Sequence, residues 1–394
     1  MKKLISSFIV LLLFVGFSVR SHAVEGDLFV QVDLNGLDPD GCSIMQITPA
    51  GVISEFISNA QILAATGETT ADCDDTGLAV GLDGTVFFNE DESDDILMAT
   101  NPGGVLSVFV TEAAIIAAAG GSGDIDNGMA ISPVNGNLYV ADEGADSILM
   151  VNVGGFNPGL VTLIITEADF EALLPPGDSP DLEGGIAIDF AGNIYISDDA
   201  NDLIYKYEAA TDTLSILSTA VQIAAATGTF DIDLDVGVVF GGDLFVLDDG
   251  GCDCLLRVNP NNGNASAFIT EANIISATGG DFADVEGGLA IDENQNLYIG
   301  DDGDLDGDED RPNIVQATQL IQTSLFASAT DIRDFYNVAE PGGDPRLEGS
   351  MAIEGIFDFP PLQVPTLSEW GMIATALGLG IIGFIVARRR MVNA

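Results

Sequence analysis

A short apolar signature returns six times along the chain: GLAV at 77–80, GMAI at 128–131, GIAI at 185–188, GVVF at 237–240, GLAI at 288–291 and SMAI at 350–353. The spacing, 51 to 62 residues, is that of one supersecondary unit that cannot bury its apolar face alone and must stack on copies of itself. Second strands follow five of the signatures (TVFFNED, NLYVADE, NIYISDD, DLFVLDD, NLYIGDD), and DLFVQVD at 27–33 matches them without a preceding first strand. The aromatic position of this strand is Phe29, Phe87, Tyr139, Tyr195, Phe245 and Tyr298. A third strand (SIMQIT, DILMAT, SILMVN, LIYKYE, LLRVN, NIVQAT) and a fourth (VISEFIS, VLSVFVT, VTLIIT, LSILST, ASAFIT, TSLFAS) complete each unit. Four alternating strands joined by Gly, Asn and Asp turns predict an all-β fold, a six-bladed β-propeller over residues 24–360.

The repeat is circularly offset. The chain enters at a second strand and leaves on a first strand, Ser350–Glu354, so the two ends are expected to complete one blade and protect its edges. Ser58–Ile62, Thr111–Ile115, Thr166–Phe170 and Thr270–Ile274 share one spacing after the fourth strand. Ser or Thr makes a good N-cap and the Ala-rich continuation favours helix, so short helical inserts covering blade edges are expected after each fourth strand.

The two ends read as addresses. Residues 1–23 carry Lys2 and Lys3, an apolar run, and Ser21 and Ala23 placed for signal peptidase, which describes a secretory signal peptide. A linker at 361–370 leads to 17 uncharged residues, 371–387, about 25 Å long as a helix. That length suits a transmembrane helix, with Trp370 at one interface and a basic tail, 388–394, marking the cytoplasmic end. Pro365-Thr366-Leu367-Ser368-Glu369-Trp370-Gly371, the apolar span and Arg388-Arg389-Arg390 together resemble the IPTL-CTERM sorting signals of Gram-negative bacteria, with Val364 in place of the first Ile. The resemblance implies a precursor held in the inner membrane, tail removal by an exosortase-type enzyme, and delivery to the cell surface or extracellular matrix.

The second-strand motif GNIYISDDANDLIYKY, residues 192–207, resembles the NHL repeat. The body resembles six-bladed propellers that include the senescence marker protein/gluconolactonase family. Strand motifs specify fold rather than activity. That family implies a top-face divalent metal held by a Glu opening the first blade plus Asn and Asp from others. Glu183, Glu286 and Glu348, each followed by Gly, can stand for that Glu, and Asn127 is the only Asn in the matching loops.

Charge narrows the chemistry. The net charge is −51, and residues 24–364 hold five basic residues (Lys206, Arg257, Arg311, Arg333, Arg346) against 61 acidic ones. Such a surface repels phosphate backbones, which excludes nucleic acid as a partner. The one histidine, His22, lies in the signal peptide, so the mature chain has no Ser-His-Asp or Cys-His mechanism and no His-ligated zinc or haem.

A carboxylate stands two residues before each first-strand signature's opening residue: Asp75, Asp126, Asp235, Glu183, Glu286 and Glu348. The loops after the second strands add Asp33, Asp91, Asp142, Glu143, Asp198, Asp199, Asp248, Asp249, Asp301 and Asp302 on the same face. Two acidic rings around one axis repel each other unless cations lie between them, and hard oxygen ligands point to Ca²⁺, with Mg²⁺ second. The alternatives are that each carboxylate caps a turn in its own blade, or that the acidity is a salt-adapted surface. Asp302, Asp304, Asp306 and Asp308 with Gly307 add a D-x-D-x-D-G loop of calcium-binding spacing, although Asn313 replaces its terminal Glu.

Four cysteines suit an exported protein. Cys42 opens a third strand and Cys73 precedes Gly77, both toward the top of one blade, which favours their pairing among three possible connectivities. Cys252 and Cys254 then bridge each other across Asp253 or remain thiols. The expectation is an exported, surface-sorted propeller acting as a cation-stabilised binding or matrix protein; a metal-dependent lactonase is the competing expectation.

Overall fold

A computed structural model describes residues 26–34, 41–73, 76–125, 128–234, 237–280, 282–285, 288–292, 294–302, 312–318, 320–336, 345–347 and 350–353. The expected signal peptide, linker, membrane span and basic tail lie outside these residues. Among the described residues no helix is long and apolar enough to cross a membrane.

Six four-stranded antiparallel sheets stand around one axis. Blade I contains, from the axis outward, Met351–Ile353, Leu28–Asp33, Cys42–Ile47 and Ile53–Ile57. Blade II contains Leu78–Val80, Val86–Phe88, Ile96–Thr100 and Val105–Val110. Blade III contains Met129–Ile131, Leu138–Asp142, Ser147–Val151 and Val161–Ile165; blade IV contains Ile186–Ile188, Ile194–Asp198, Leu203–Glu208 and Thr213–Ser218. Blade V contains Gly237–Phe240, Asp243–Asp248, Cys254–Val258 and Ala265–Ile269; blade VI contains Leu289–Ile291, Leu297–Asp301, Asn313–Ala317 and Thr323–Ala327. Blade I closes the ring from both chain ends, with Leu28 opposite Ile353, Phe29 opposite Ala352 and Val30 opposite Met351.

Each blade repeats one irregularity. The third and fourth strands shift register after Ile44, Ile96, Ile148, Ile204, Leu255 and Ile314 in turn. A bulge at the same place in every sheet increases its twist, which lets flat blades pack as propeller vanes.

The core lies between blades. Second strands such as Leu28–Asp33 are buried at every residue because both faces of the sheet meet a neighbour, whereas the outer strand Val105–Val110 alternates toward solvent. Between blades I and II, Phe29, Ile44 and Ile57 meet Leu78, Val86, Phe88 and Leu97. Each fully buried aliphatic contributes about 1.5–3 kcal/mol relative to exposure. The aromatic of the second strand finds a partner on the fourth in four blades: Phe29 with Phe56, Phe87 with Phe109, Phe245 with Phe268, and Tyr298 with Phe326, with ring centroids 4.8–5.3 Å apart.

Helices follow all six fourth strands: α1 (Asn59–Thr66), α2 (Glu112–Ala119), α3 (Glu167–Glu171), α4 (Ala220–Thr227), α5 (Glu271–Thr278) and α6 (Ala329–Tyr336). Ser58, Thr166 and Thr270 form capping boxes with Gln61, Asp169 and Asn273. Gly67, Gly120, Gly228 and Gly279 end their helices at φ of 79–94°, a left-handed turn that an L side chain resists. Each helix drives one apolar side chain inward (Ile62, Ile115, Phe170, Ile223, Ile274 and Ile332), all completely buried. These helices reach the next blade: Gln61 Nε2 donates to the Gly104 carbonyl, and Phe170 stands edge-on to Tyr205 at 4.9 Å. They seal the seams between blades as well as covering edges.

Candidate cation-binding face

The central channel is built from the six inner strands. It encloses a cavity of about 120 Å³ lined by Leu78, Val80, Met129, Ile131, Ile186, Ile291 and their neighbours, with Ser350 as its polar member among the described residues. Close packing and backbone conformation explain the recurring glycine. A Cβ on Gly77 would come within 2.8 Å of the Met129 side chain, and Gly185 and Gly288 stand at φ of 91 and 79°, a conformation that an L side chain resists.

Polar chemistry gathers instead on the face where second strands end and first strands begin. Near the end of the second strand five blades place a carboxylate at one position, Glu90, Asp142, Asp198, Asp248 and Asp301, each at most 1% exposed; blade I has Val32 there, and its Asp33 stands one residue further on. Three of them cap their own blade. The N–H groups of Asp181, Asp233 and Asp284, in the segments leading into the first strands, donate to Asp198, Asp248 and Asp301 at 3.0–3.3 Å. The backbone answers one residue further on. Asp91, Glu143, Asp199, Asp249 and Asp302 donate N–H to the carbonyls of Asp72, Asp124, Asp181, Asp233 and Asp284. Asp198 also accepts from the Tyr205 hydroxyl at 2.7 Å and from Asn201. Turn capping therefore accounts for part of the inner acids. Asp142 differs: it is completely buried, and its partner is the backbone N–H of Ala145 in its own loop rather than a side chain or the lead-in segment. Burial first, then the charge of Asp124, pushes it up to about 6.

A second set of acids faces across the seams. Asp94, Asp146, Asp202 and Asp253 occupy one position in the loop between second and third strands, at φ of 49, 42, 51 and 43°. Asp tolerates this left-handed conformation better than most residues. Each carries a neighbouring carboxylate from the next blade's lead-in: Asp124, Asp181, Asp233 and Asp284 respectively. Burial, followed by these carboxylates, pushes Asp94, Asp146 and Asp253 up to about 7. Asp199 is raised to about 7 by burial and then by a shared hydrogen bond with Asp233. The ion pairs Lys206–Glu208 and Arg257–Asp243 lie at the opposite ends of their strands and do not neutralise these seams.

Among the described residues, two all-carboxylate clusters bring oxygens within 4.8 Å of one another: Asp91, Asp94 and Asp124 between blades II and III, and Glu143, Asp181 and Glu183 between blades III and IV. Asp248 also approaches Cys252 and Cys254, but those sulfurs are bonded to each other and are not ligands. Cys42 and Cys73 form the other disulfide, with Cα atoms 5.0 Å apart, joining blade I to the lead-in of blade II.

Of the six carboxylates expected to ring the channel, Glu183 falls within the described residues; Asp75, Asp126, Asp235, Glu286 and Glu348 lie outside them, as does Asn127. Of the D-x-D-x-D-G loop, Asp302 is described and is 6% exposed, while Asp304, Asp306 and Asp308 lie outside. Pro365, Thr366, Leu367, Trp370, Gly371, Arg388, Arg389 and Arg390 also lie outside. Sequence reasoning passed over Asp94, Asp124, Asp146, Asp181 and Asp253. Asp124 and Asp181 have a signal in the sequence: D-x-[DE] recurs at Asp124, Asp181, Asp233 and Asp284, two residues ahead of Asp126, Glu183, Asp235 and Glu286.

Residues 363–390 match the IPTL-CTERM motif. No curated protein matches the chain. Among solved structures, a chain in a crystal structure of a nidogen/laminin complex superposes with a TM-score of 0.51 at 12% identity, over 84% of this chain and 99% of that one. A protein of unknown function from Bacteroides caccae gives 0.51 at 16% identity, over 84% and 99%. Likeness at these identities is a likeness of fold, and it bears out the six-bladed propeller. The sorting motif is consistent with an exported protein.

Proposed function

We propose that this protein is an exported, surface-sorted propeller that works as a non-catalytic binding or matrix module, with divalent cations stabilising its acidic face. Signal peptidase removes residues 1–23, the span at 371–387 holds the precursor in the inner membrane of a Gram-negative bacterium, and an exosortase-type enzyme removes the tail. The observation that carries the non-catalytic reading is the channel. Its described lining is apolar, so substrate entering along the axis meets packed aliphatic side chains rather than converging acids and bases. Ca²⁺ is the favoured cation and Mg²⁺ the second, since the face offers carboxylates and no imidazole.

Two measurements test the reading. Incubation of the secreted protein with a panel of aldonolactones, with Ca²⁺, Mg²⁺ or EDTA, is expected to give no turnover; cation-dependent hydrolysis would replace the module by a lactonase. Changing Pro365, Thr366 and Leu367 to Ala in the native host is expected to leave membrane insertion intact but block tail removal, because a protease must read an extended backbone there. Normal processing of this variant would reduce the tail to a plain anchor.

A further inference from the structure

We propose that the face opposite the acidic one is a membrane-docking surface. While the tail anchors the precursor, this face rests on the phospholipid headgroups with its exposed apolar turn residues inserted among them. The inference rests on the reading of 371–387 as a membrane span, and adds to it the orientation of the propeller on the bilayer.

The first observation is where the chain meets the ring. In an antiparallel blade, the turns from first to second strand and from third to fourth strand lie at one end, opposite the acidic loops. Leu28 begins a second strand, Ile353 ends a first strand, and the two are paired. Both ends of the propeller therefore open on this face. The segment from there to the span, 354–370, has 17 residues and reaches at most about 60 Å even fully extended. So short a tether keeps the face close to the bilayer at a high effective concentration.

The second is the distribution of side chains. Residues 24–364 hold 61 acidic residues, yet the third-to-fourth turns at 48–52, 101–104, 152–160, 259–264 and 318–322 hold no charged residue of either sign. Large apolar side chains stand out from this face instead. Leu82, Val134 and Phe190 lie in first-to-second turns, and Val105, Phe156 and Leu320 lie at third-to-fourth turns. Phe156 is 96% exposed and Leu320 80%. The inner residues form an arc: a Cβ on Gly136 would meet Leu82 at 3.3 Å, and one on Gly192 would meet Val134 at 3.6 Å. Separate apolar tips on uncharged turns suit a lipid interface, which fills in around each of them, whereas a protein partner needs matched relief.

The third is electrostatic. Acids on this face are engaged locally. Asp83 and Asp189 accept N–H groups of their own turns, and Glu208 and Asp243 pair with Lys206 and Arg257. The crowded carboxylates lie at the far end of the blades, and a six-residue second strand such as Leu28–Asp33 is about 20 Å long. The Debye length is about 8 Å at physiological salt, so anionic headgroups beneath this face are screened from the acidic loops. The opposite orientation would press those loops against the membrane.

The test uses the full chain reconstituted into vesicles of phosphatidylethanolamine and phosphatidylglycerol, with and without bromine on the acyl chains as a quencher of indole fluorescence. Phe156→Trp and Leu320→Trp report on the proposed face. Val221→Trp is the control, since α4 follows a fourth strand and so lies toward the acidic side; the wild type supplies the Trp370 background. All three positions are exposed, so the substitutions leave the core untouched. Flotation with the vesicles measures anchoring separately. Protein that floats should lose most of the fluorescence added at positions 156 and 320 in brominated vesicles and keep that added at 221. Quenching at 156 or 320 no greater than at 221, in protein that floats, overturns the docking face and leaves the anchor standing. A second copy of the chain covering the face gives this same result, because it shields the indoles from lipid. Protein that does not float overturns the anchor reading and this inference with it.

Discussion

The N–H of Asp33 donates to the Arg346 carbonyl at 3.0 Å, and the N–H of Arg346 returns to the Asp33 carbonyl at 2.8 Å. These residues are 313 positions apart, and their exchange extends the closing pairing of Leu28–Val30 with Met351–Ile353. Tyr336 of α6 reinforces the same seam through a 2.6 Å hydrogen bond with Ser43.

Ring closure therefore depends on very few residues at the end of the chain. Deleting residues 350–360 exposes the edge from Leu28 to Gln31 and empties the seam core of Met351 and Ile353. That truncation is expected to aggregate, or to unfold without cooperativity, in size-exclusion and urea experiments. Deletion from Pro365 onward is expected to leave unfolding of the propeller unchanged. A monomeric, cooperative product of the longer truncation would show that blade I does not need its inner strand.

The seam acids give stability a pH dependence in the absence of cations. Asp94, Asp146 and Asp253 are raised from 3.8 to about 7, so the folded protein binds their protons more tightly than the unfolded chain does. Their contribution is complete below the unfolded value and is lost as pH rises through the folded one. In EDTA the melting temperature should fall between pH 5 and pH 8, and millimolar Ca²⁺ should flatten that fall. Asp169, lowered chiefly by its side-chain bond to Thr166, acts in the opposite sense at more acidic pH. A melting temperature that rises from pH 5 to pH 8 in EDTA would mean that the seam carboxylates do not crowd one another.

The two disulfides should differ in their contribution. Cys42–Cys73 closes a span of 31 residues and links two blades, which corresponds to about 3–4 kcal/mol in the chain-entropy model. Cys252–Cys254 spans two residues within one loop and restrains little of the unfolded chain. Urea unfolding of Cys42→Ser/Cys73→Ser is expected to show the large loss, and Cys252→Ser/Cys254→Ser a small one. Equal losses would rule out loop entropy as the cause.

The helix α3 supplies a sharp test of seam packing. Phe170 is completely buried against Tyr205, whose hydroxyl in turn donates to Asp198. Phe170→Ala should cost about 3–5 kcal/mol through the cavity it leaves. Tyr205→Phe should cost about 1.5–3 kcal/mol, by removing a hydrogen bond to a charged group that stays buried. If Phe170→Ala lowers the urea midpoint no more than a surface substitution does, the helix is only a cover.

Strand order, blade number and the shared blade at the termini are written locally, because alternation and turn residues act over a few positions and repeat six times. The helices after the first, second, third and fifth of these units were legible from Ser or Thr N-caps followed by apolar residues. The sequence also favours the Cys42–Cys73 pairing, since Cys42 opens a third strand and Cys73 lies in the loop before Gly77, both toward the same face.

What the acids do was decided by tertiary structure. In the sequence, Asp142 and Asp198 occupy the same slot of the same motif. In the fold, Asp198 finds Tyr205, Asn201 and the N–H of Asp181, while Asp142 finds only the backbone N–H of Ala145. Asp94 and Asp124 lie 30 positions apart and become neighbours only because adjacent blades press together. Burial and charge crowding are properties of the seam between two sheets, and no single repeat contains a seam.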